Sequence, residues 1–183
     1  MRIISGRHKG RTLLVPSNFK GRPTTDFARE GLFNVLQNQV DWEDLRVLEL
    51  FAGTGAFGLE CASRGAEDIL AVEMQHLHVD WIRRNFVHIE APKAKVIQQD
   101  VFKFITQYNG PGFDLVFADP PFDLPLLAQL PTLVAHSALL PSGGLFILEH
   151  PKEFHFETLE GFVKTKQYAN VFFSFFEFSG KSI

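Results

Sequence analysis

A chain of 183 residues, 45% of them hydrophobic, is long and apolar enough to bury one sizeable core, but it has no room for a second large domain. Its longest apolar runs fall far short of the roughly 18 to 20 residues that cross a bilayer, and Met1-Arg-Ile-Ile-Ser-Gly6 lacks the apolar segment of a signal peptide, so a soluble, cytoplasmic protein without membrane contact is expected. The lone Cys61 excludes an internal disulfide and a cysteine-cluster metal site, no metal is expected, and a net charge of −3 argues against a generic nucleic-acid binder.

The charge is unevenly spread. Residues 1–30 carry Arg2, Arg7, Lys9, Arg11, Lys20, Arg22 and Arg29 against only Asp26 and Glu30, which leaves the remaining chain acidic. A basic arm on an acidic body suits a local surface that meets phosphates; scattered solvated charges are the plain structural reading of the same residues. Two strand-like pieces, Arg2–Ser5 and Arg11–Val15, flank Gly6-Arg-His-Lys-Gly10 and predict a hairpin or looped arm over residues 1–21. The main domain is expected over 22–183. It opens with a linking helix, capped by Thr24 or Thr25, in which Ala28, Leu32, Val35 and Leu36 recur at helical spacing.

From Arg46 onward, short apolar strands alternate with amphipathic stretches. Residues 47–50, 69–72, 95–98, 115–118 and 145–148 read as strands, and the stretches near 57–64, 76–89, 101–108 and 124–138 read as helices. This alternation predicts an α/β fold with a mostly parallel sheet covered on both faces. Residues 161–168 and 171–178 are separated only by Ala169-Asn170, so they pair as an antiparallel hairpin. Phenylalanines at 172, 173, 175, 176 and 178 occupy both faces of the last strand, which suits a place inside the sheet.

In Leu48-Glu-Leu-Phe-Ala-Gly-Thr-Gly-Ala-Phe-Gly-Leu59 a strand runs through a glycine turn into a helix. Such a turn serves a dinucleotide, another adenosine cofactor or a bare corner. The acids narrow the choice. Glu49 precedes the turn, Glu73 ends the next strand and Asp100 follows the third, so all three open on the carboxyl edge of a parallel sheet. Glu73 suits ribose hydroxyls, Asp100 an adenine amine and Glu49 a cationic tail, a set that favours the sulfonium and ammonium of S-adenosylmethionine over a pyrophosphate.

On the same edge the fourth strand ends in Asp119-Pro120-Pro121-Phe122. The prolines lack N–H groups and fix φ, so their carbonyls are held rigidly. Asp119 adds a carboxylate acceptor, and Phe122 a face on which a base stacks. Two acceptors and a ring match a planar substrate with an exocyclic amine, oriented so that its lone pair faces a methyl donor. A Pro-Pro turn with Phe122 docked in the core is the structural alternative.

Together with Arg2-Ile-Ile-Ser-Gly, Gly10-Arg-Thr-Leu, Val72-Glu-Met74 and above all Arg22-Pro-Thr-Thr-Asp-Phe-Ala-Arg-Glu-Gly-Leu-Phe-Asn34, these motifs resemble the RsmD-type ribosomal RNA methyltransferases over nearly the whole chain. The resemblance implies a Rossmann-like S-adenosylmethionine-dependent methyltransferase fold with a seven-stranded, mostly parallel sheet, a C-terminal antiparallel hairpin and a small N-terminal β-hairpin arm. It implies methyl transfer to N2 of a guanine in bacterial small-subunit (16S) ribosomal RNA, leaving S-adenosylhomocysteine. It assigns Glu49, Phe51, Ala52, Gly53, Gly55, Glu73, Met74, Asp100 and Val101 to the cofactor and Asp119, Pro120, Pro121 and Phe122 to the base. Arg7, Lys9, Arg11, Arg22, Thr24 and Arg29 fall to the RNA. The expected substrate is an assembled or partly assembled small subunit, and the protein is expected to be a monomer. Another RNA, DNA or a protein glutamine stays open as the amine, as does a non-catalytic assembly factor.

Overall fold

The computed structural model describes residues 1–14 and 24–178. Its centre is a seven-stranded sheet of order β3-β2-β1-β4-β5-β7-β6. Strands β1 (Arg46–Leu50), β2 (Asp68–Glu73), β3 (Lys95–Gln98), β4 (Leu115–Ala118) and β5 (Leu145–His150) run parallel, while β6 (Phe162–Tyr168) and β7 (Val171–Glu177) form an antiparallel hairpin. Strand β7 pairs β5 on one side and β6 on the other, so the phenylalanine-rich strand is interior as expected. Its tight connection puts Ala169 at φ 54°, in the left-handed region that such a short turn demands.

The parallel strands are nearly continuous apolar runs because both faces are covered. Helices α1 (Asp26–Leu36), α2 (Ala56–Arg64) and α3 (His76–His88) bury Leu32, Phe33, Leu59, Ile82 and Phe86 on one face. On the other, α4 (Val101–Gln107) and α5 (Leu130–Ala135) bury Val101, Phe104, Ile105, Leu130 and Val134. Thr25 caps α1, its hydroxyl accepting the Ala28 N–H at 3.2 Å. The helix is fixed to the far end of the sheet by the Tyr168 hydroxyl, which donates to the Gly31 carbonyl at 2.9 Å. A side chain at Gly31 would stand 2.1 Å from the Tyr168 ring, so glycine is required for this approach.

One expectation changes. The single helix over 124–138 is a 3₁₀ turn at Leu127–Gln129 followed by the shorter α5, because Pro125 and Pro131 break a continuous ladder and Pro131 sits in the first turn of α5. The arm forms the expected short hairpin: Arg2 and Thr12 bridge, and Ile3 N–H donates to the Arg11 carbonyl at 3.0 Å, Gly10 N–H to the Ile3 carbonyl at 2.9 Å and Leu13 N–H to the Met1 carbonyl at 3.0 Å. Other backbone donors of the arm go to the body. Ile4 and Ser5 N–H donate to the Glu60 carboxylate at 2.8 and 2.9 Å, Arg7 N–H to the Ser63 carbonyl at 2.7 Å, and Leu14 N–H to Asn85 Oδ1 at 2.8 Å. Ile3 and Leu13 are buried beneath it. These bonds anchor the hairpin to α2 and α3.

Candidate active site

The carboxyl ends of β1, β2, β4 and β5 open into one cavity of about 810 Å³. It is lined from Phe51–Thr54 and Glu73 at one end to Asp119–Phe122 and Glu149 at the other, with Thr24 and Arg29 from the α1 side. A second cavity of about 530 Å³, between Phe86 and Val96, lies away from these strand ends.

The glycine turn forms as its sequence requires. Phe51, Gly53 and Gly55 have φ of 55°, 53° and 72°, which reverses the chain within a few residues between β1 and α2. Gly55 is the residue before α2 and offers no side-chain cap, so the first N–H groups of that helix need another partner. Glu49 supplies it from the strand beneath, accepting from Phe57 N–H at 3.2 Å and Gly58 N–H at 3.0 Å. Burial pushes its pKa up to about 8 against these two bonds, with the Asp119 and Glu73 charges adding to the rise. A Cβ at Gly58 would lie 2.8 Å from Glu49 Oε2, so the glycine makes room for the cap. Glu49 therefore acts first as a brace of the turn, a role with no local sequence signal because its partners lie eight and nine residues on.

Glu73 is braced similarly. Its carboxylate accepts from Gly53 N–H and from Gln75 N–H, each at 2.8 Å, joining the β2 end to the glycine turn. Each oxygen keeps a lone pair for a second donor. Asp100 caps α4 through the Lys103 N–H at 2.9 Å, leaving its other oxygen for a ligand. Ala52 and Val101 are buried wall residues and Met74 is 62% exposed at the rim. The set is rich in acceptors, and it fits a ligand that carries hydroxyls, an exocyclic amine and positive charge.

At the other end, Asp119, half-buried, follows the last residue of β4, and Glu149, 3% exposed, lies beside it on β5. The Thr24 hydroxyl donates to Glu149 Oε2 at 2.7 Å and stands 3.4 Å from Asp119 Oδ2. Burial raises the Asp119 pKa to about 7; it raises Glu149 well above the carboxylate range, helped by the Asp119 charge. The Pro121 carbonyl closes a turn by accepting Leu124 N–H, while the Pro120 carbonyl accepts from no described residue. Phe122 is 40% exposed and not docked in the core. Phe117, which lines the same cavity, stacks on Phe57 with centroids 4.2 Å apart.

Thr24 lines the cavity. Arg29 is 3% exposed, with Nη2 donating to Asp26 and to the Arg2 carbonyl, so it ties the arm to α1 instead of facing bulk solvent. Arg7 and Lys9 are exposed, and Arg11 donates to the His88 carbonyl at 2.6 Å. Arg22 lies outside the described residues. Sequence reasoning missed Glu149, whose strand reads as an ordinary apolar run; only the neighbouring position of β4 and β5 reveals it.

No helix of the described residues is long and apolar enough to cross a membrane. The family model described as Conserved hypothetical protein 95 matches residues 1–177. Ribosomal RNA small subunit methyltransferase D of Escherichia coli K12 is 36% identical over 84% of this chain and 76% of its own. The solved structure of yhhF from Escherichia coli superposes with a TM-score of 0.85 at 31% identity over 99% of each chain. The 16S rRNA N2 G1207 methyltransferase RsmC of Thermus thermophilus, solved with AdoMet and guanosine, matches with a TM-score of 0.65 and 28% identity over 85% of this chain and 44% of that one.

Proposed function

The chain belongs to the Conserved hypothetical protein 95 family, and from that premise we propose that it transfers a methyl group from S-adenosylmethionine to the exocyclic N2 of a guanine in small-subunit ribosomal RNA. One observation carries the reading: a single cavity joins the glycine turn and Glu73 to the Asp119-Pro120-Pro121-Phe122 corner. The similarity to a guanine-N2 methyltransferase solved with AdoMet and guanosine supports it.

S-adenosylmethionine supplies the electrophilic methyl group and leaves as S-adenosylhomocysteine. Phe51, Ala52, Gly53 and Gly55 hold its amino-acid end, Glu73 the ribose hydroxyls, and Asp100, with Met74 and Val101 alongside, the adenine. Glu49 keeps this turn in shape. Asp119 and the Pro120 carbonyl accept the two amine protons of the base, which turns the nitrogen lone pair toward the methyl donor. Pro121 fixes that carbonyl, and Phe122 stacks on the ring. As positive charge grows on nitrogen, the Asp119 carboxylate stabilises it and takes the departing proton, a task suited to a pKa of about 7.

A paired base cannot reach this recess, so the guanine enters unpaired or flipped. Arg7 and Lys9, exposed where the arm packs on the C-terminal end of α2, meet phosphate there; Arg11 and Arg22 belong to the RNA-binding set as well, and Thr24 and Arg29 line the α1 side of the cavity. The arm, residues 1–21, serves as the RNA-facing unit and residues 22–183 as the catalytic unit. The acidic body disfavours naked RNA, so the substrate is an assembled or partly assembled small subunit, modified in the cytoplasm by a monomer. The test is methyl transfer from labelled S-adenosylmethionine to small subunits lacking the modification, followed by nucleoside digestion and mass analysis. N2-methylguanosine is the expected product; its absence from subunits, assembly intermediates and free RNA alike would overturn the reading.

A further inference from the structure

Asp119 and the Pro120 carbonyl already provide acceptors for both protons of an amine. Glu149 is a second carboxylate in the same wall, brought there by the parallel pairing of Ala118 with Leu148, one residue before each acid. Both acids reach the one Thr24 hydroxyl, at 2.7 and 3.4 Å. Among the described residues, that hydroxyl is the hydrogen-bond partner of both. Thr24 has a single proton to give, and at 2.7 Å it gives it to Glu149. Carboxylates side by side in one cavity wall repel each other and are costly to keep unless a ligand brings donors to them. The pair therefore describes the substrate edge: two adjacent donor groups, one facing each acid.

The nucleobases differ in what stands beside the amine. Guanine places the N1–H donor next to its N2 amine. Adenine places the N1 acceptor beside N6, and cytosine the N3 acceptor beside N4. An acceptor facing any of those lone pairs is repelled, while an acceptor facing N1–H gains a hydrogen bond. We propose that Glu149 is a specificity-determining residue that accepts the N1–H of the target guanine while Asp119 and Pro120 hold its N2 amine. The pair thus reads two donor positions of the guanine edge, and the Thr24 hydroxyl sets the orientation of the second reader. This inference rests on the guanine-N2 reading above.

The experiment uses small subunits reconstituted with 16S RNA in which the mapped target guanine is replaced by 2,6-diaminopurine, a base that keeps the 2-amine but presents N1 as an acceptor. Wild-type protein and Glu149→Gln are compared on both substrates by kcat/KM, with S-adenosylhomocysteine affinity measured alongside. Wild type is expected to prefer guanine by about 10- to 100-fold, the range of one well-placed hydrogen-bond pair. The amide introduced by Glu149→Gln can turn either its oxygen to N1–H or its nitrogen to an N1 lone pair, so the preference should fall below about fivefold, with cofactor affinity unchanged. Equal use of the two bases by wild type, or an equal loss on both in Glu149→Gln, would overturn the role of Glu149 while guanine methylation itself stood. Wild type inactive on both would overturn the reaction itself. Should Glu149→Gln fail to fold, the wild-type ratio decides: above ten upholds the inference, and near one overturns it.

Discussion

The two ends of the cavity hold carboxylates in different ways. At the glycine-turn end, Glu49 and Glu73 each accept two backbone N–H groups, so they join strand to turn and turn to helix before any ligand arrives. At the Asp-Pro-Pro-Phe end, Asp119 and Glu149 share, among the described residues, a single threonine hydroxyl. Burial thus yields a brace in one place and an unfilled set of acceptors in the other. The difference lies in who satisfies the lone pairs, the fold itself or something that enters.

The sharpest way to break this comparison is to remove one acid from each end. Asp119→Ala is expected to lower turnover roughly 1,000-fold by losing the alignment and charge stabilisation of the amine, with cofactor affinity within about threefold of wild type. Methyl-transfer assays and calorimetric titration check both halves of that statement. Glu49→Ala should instead lower stability, by about 2–4 kcal/mol in urea unfolding, because two buried N–H groups at the start of α2 lose their acceptor. If the two variants behaved alike, the distinction between brace and acceptor would collapse.

Proton linkage sharpens the comparison further. The folded pKa values of Asp119, about 7, and Glu49, about 8, lie above their ordinary values of 3.8 and 4.5. The folded state therefore binds these protons more tightly, its advantage is full below about pH 4, and stability should fall as pH rises through 8, with a slope of up to about 1.4 kcal/mol per pH unit for each proton. Activity should move the opposite way, rising up to about tenfold per unit below pH 7 as Asp119 ionises. Unfolding midpoints and single-turnover rates over pH 5 to 8 test the opposed signs. A milder change, Thr24→Val, removes one hydroxyl and should reduce turnover about 3- to 10-fold without a comparable loss of cofactor binding. Smallest at physiological salt is the effect expected from Arg7→Ala with Lys9→Ala, which should lower the salt dependence of subunit binding by a slope of roughly 1 to 2 while leaving the chemistry intact.

What the sequence discloses follows the same division. Alternating apolar runs, the glycine turn and the two-residue connection at Ala169-Asn170 are local signals, and they place every strand of the sheet and the interior position of β7. Asp119, Glu73 and Asp100 stand at strand ends, where periodicity alone brings them to one edge. Glu149 gives no such signal, because its place beside Asp119 depends on the pairing of β4 with β5. Glu49 was legible as a member of the cavity but not as a cap, since its partners lie eight and nine residues on, across the turn. The arm was legible as a hairpin, but its anchorage on Glu60, Ser63 and Asn85, more than fifty residues away, was not. The breakdown of the 124–138 helix was written in Pro125 and Pro131, and there the apolar spacing outweighed the breakers.

The last strand of the sheet in chain order, β7, is not the strand at its margin. Until residues 171–177 emerge from the ribosome, β5 has a naked flank and β6 has no partner in the sheet. Nascent chains paused before that point therefore carry an adhesive edge, and synthesis of β7 is the step that seals it. For this molecule, termination ahead of Val171 should convert a folded protein into an aggregating one, far out of proportion to the length lost.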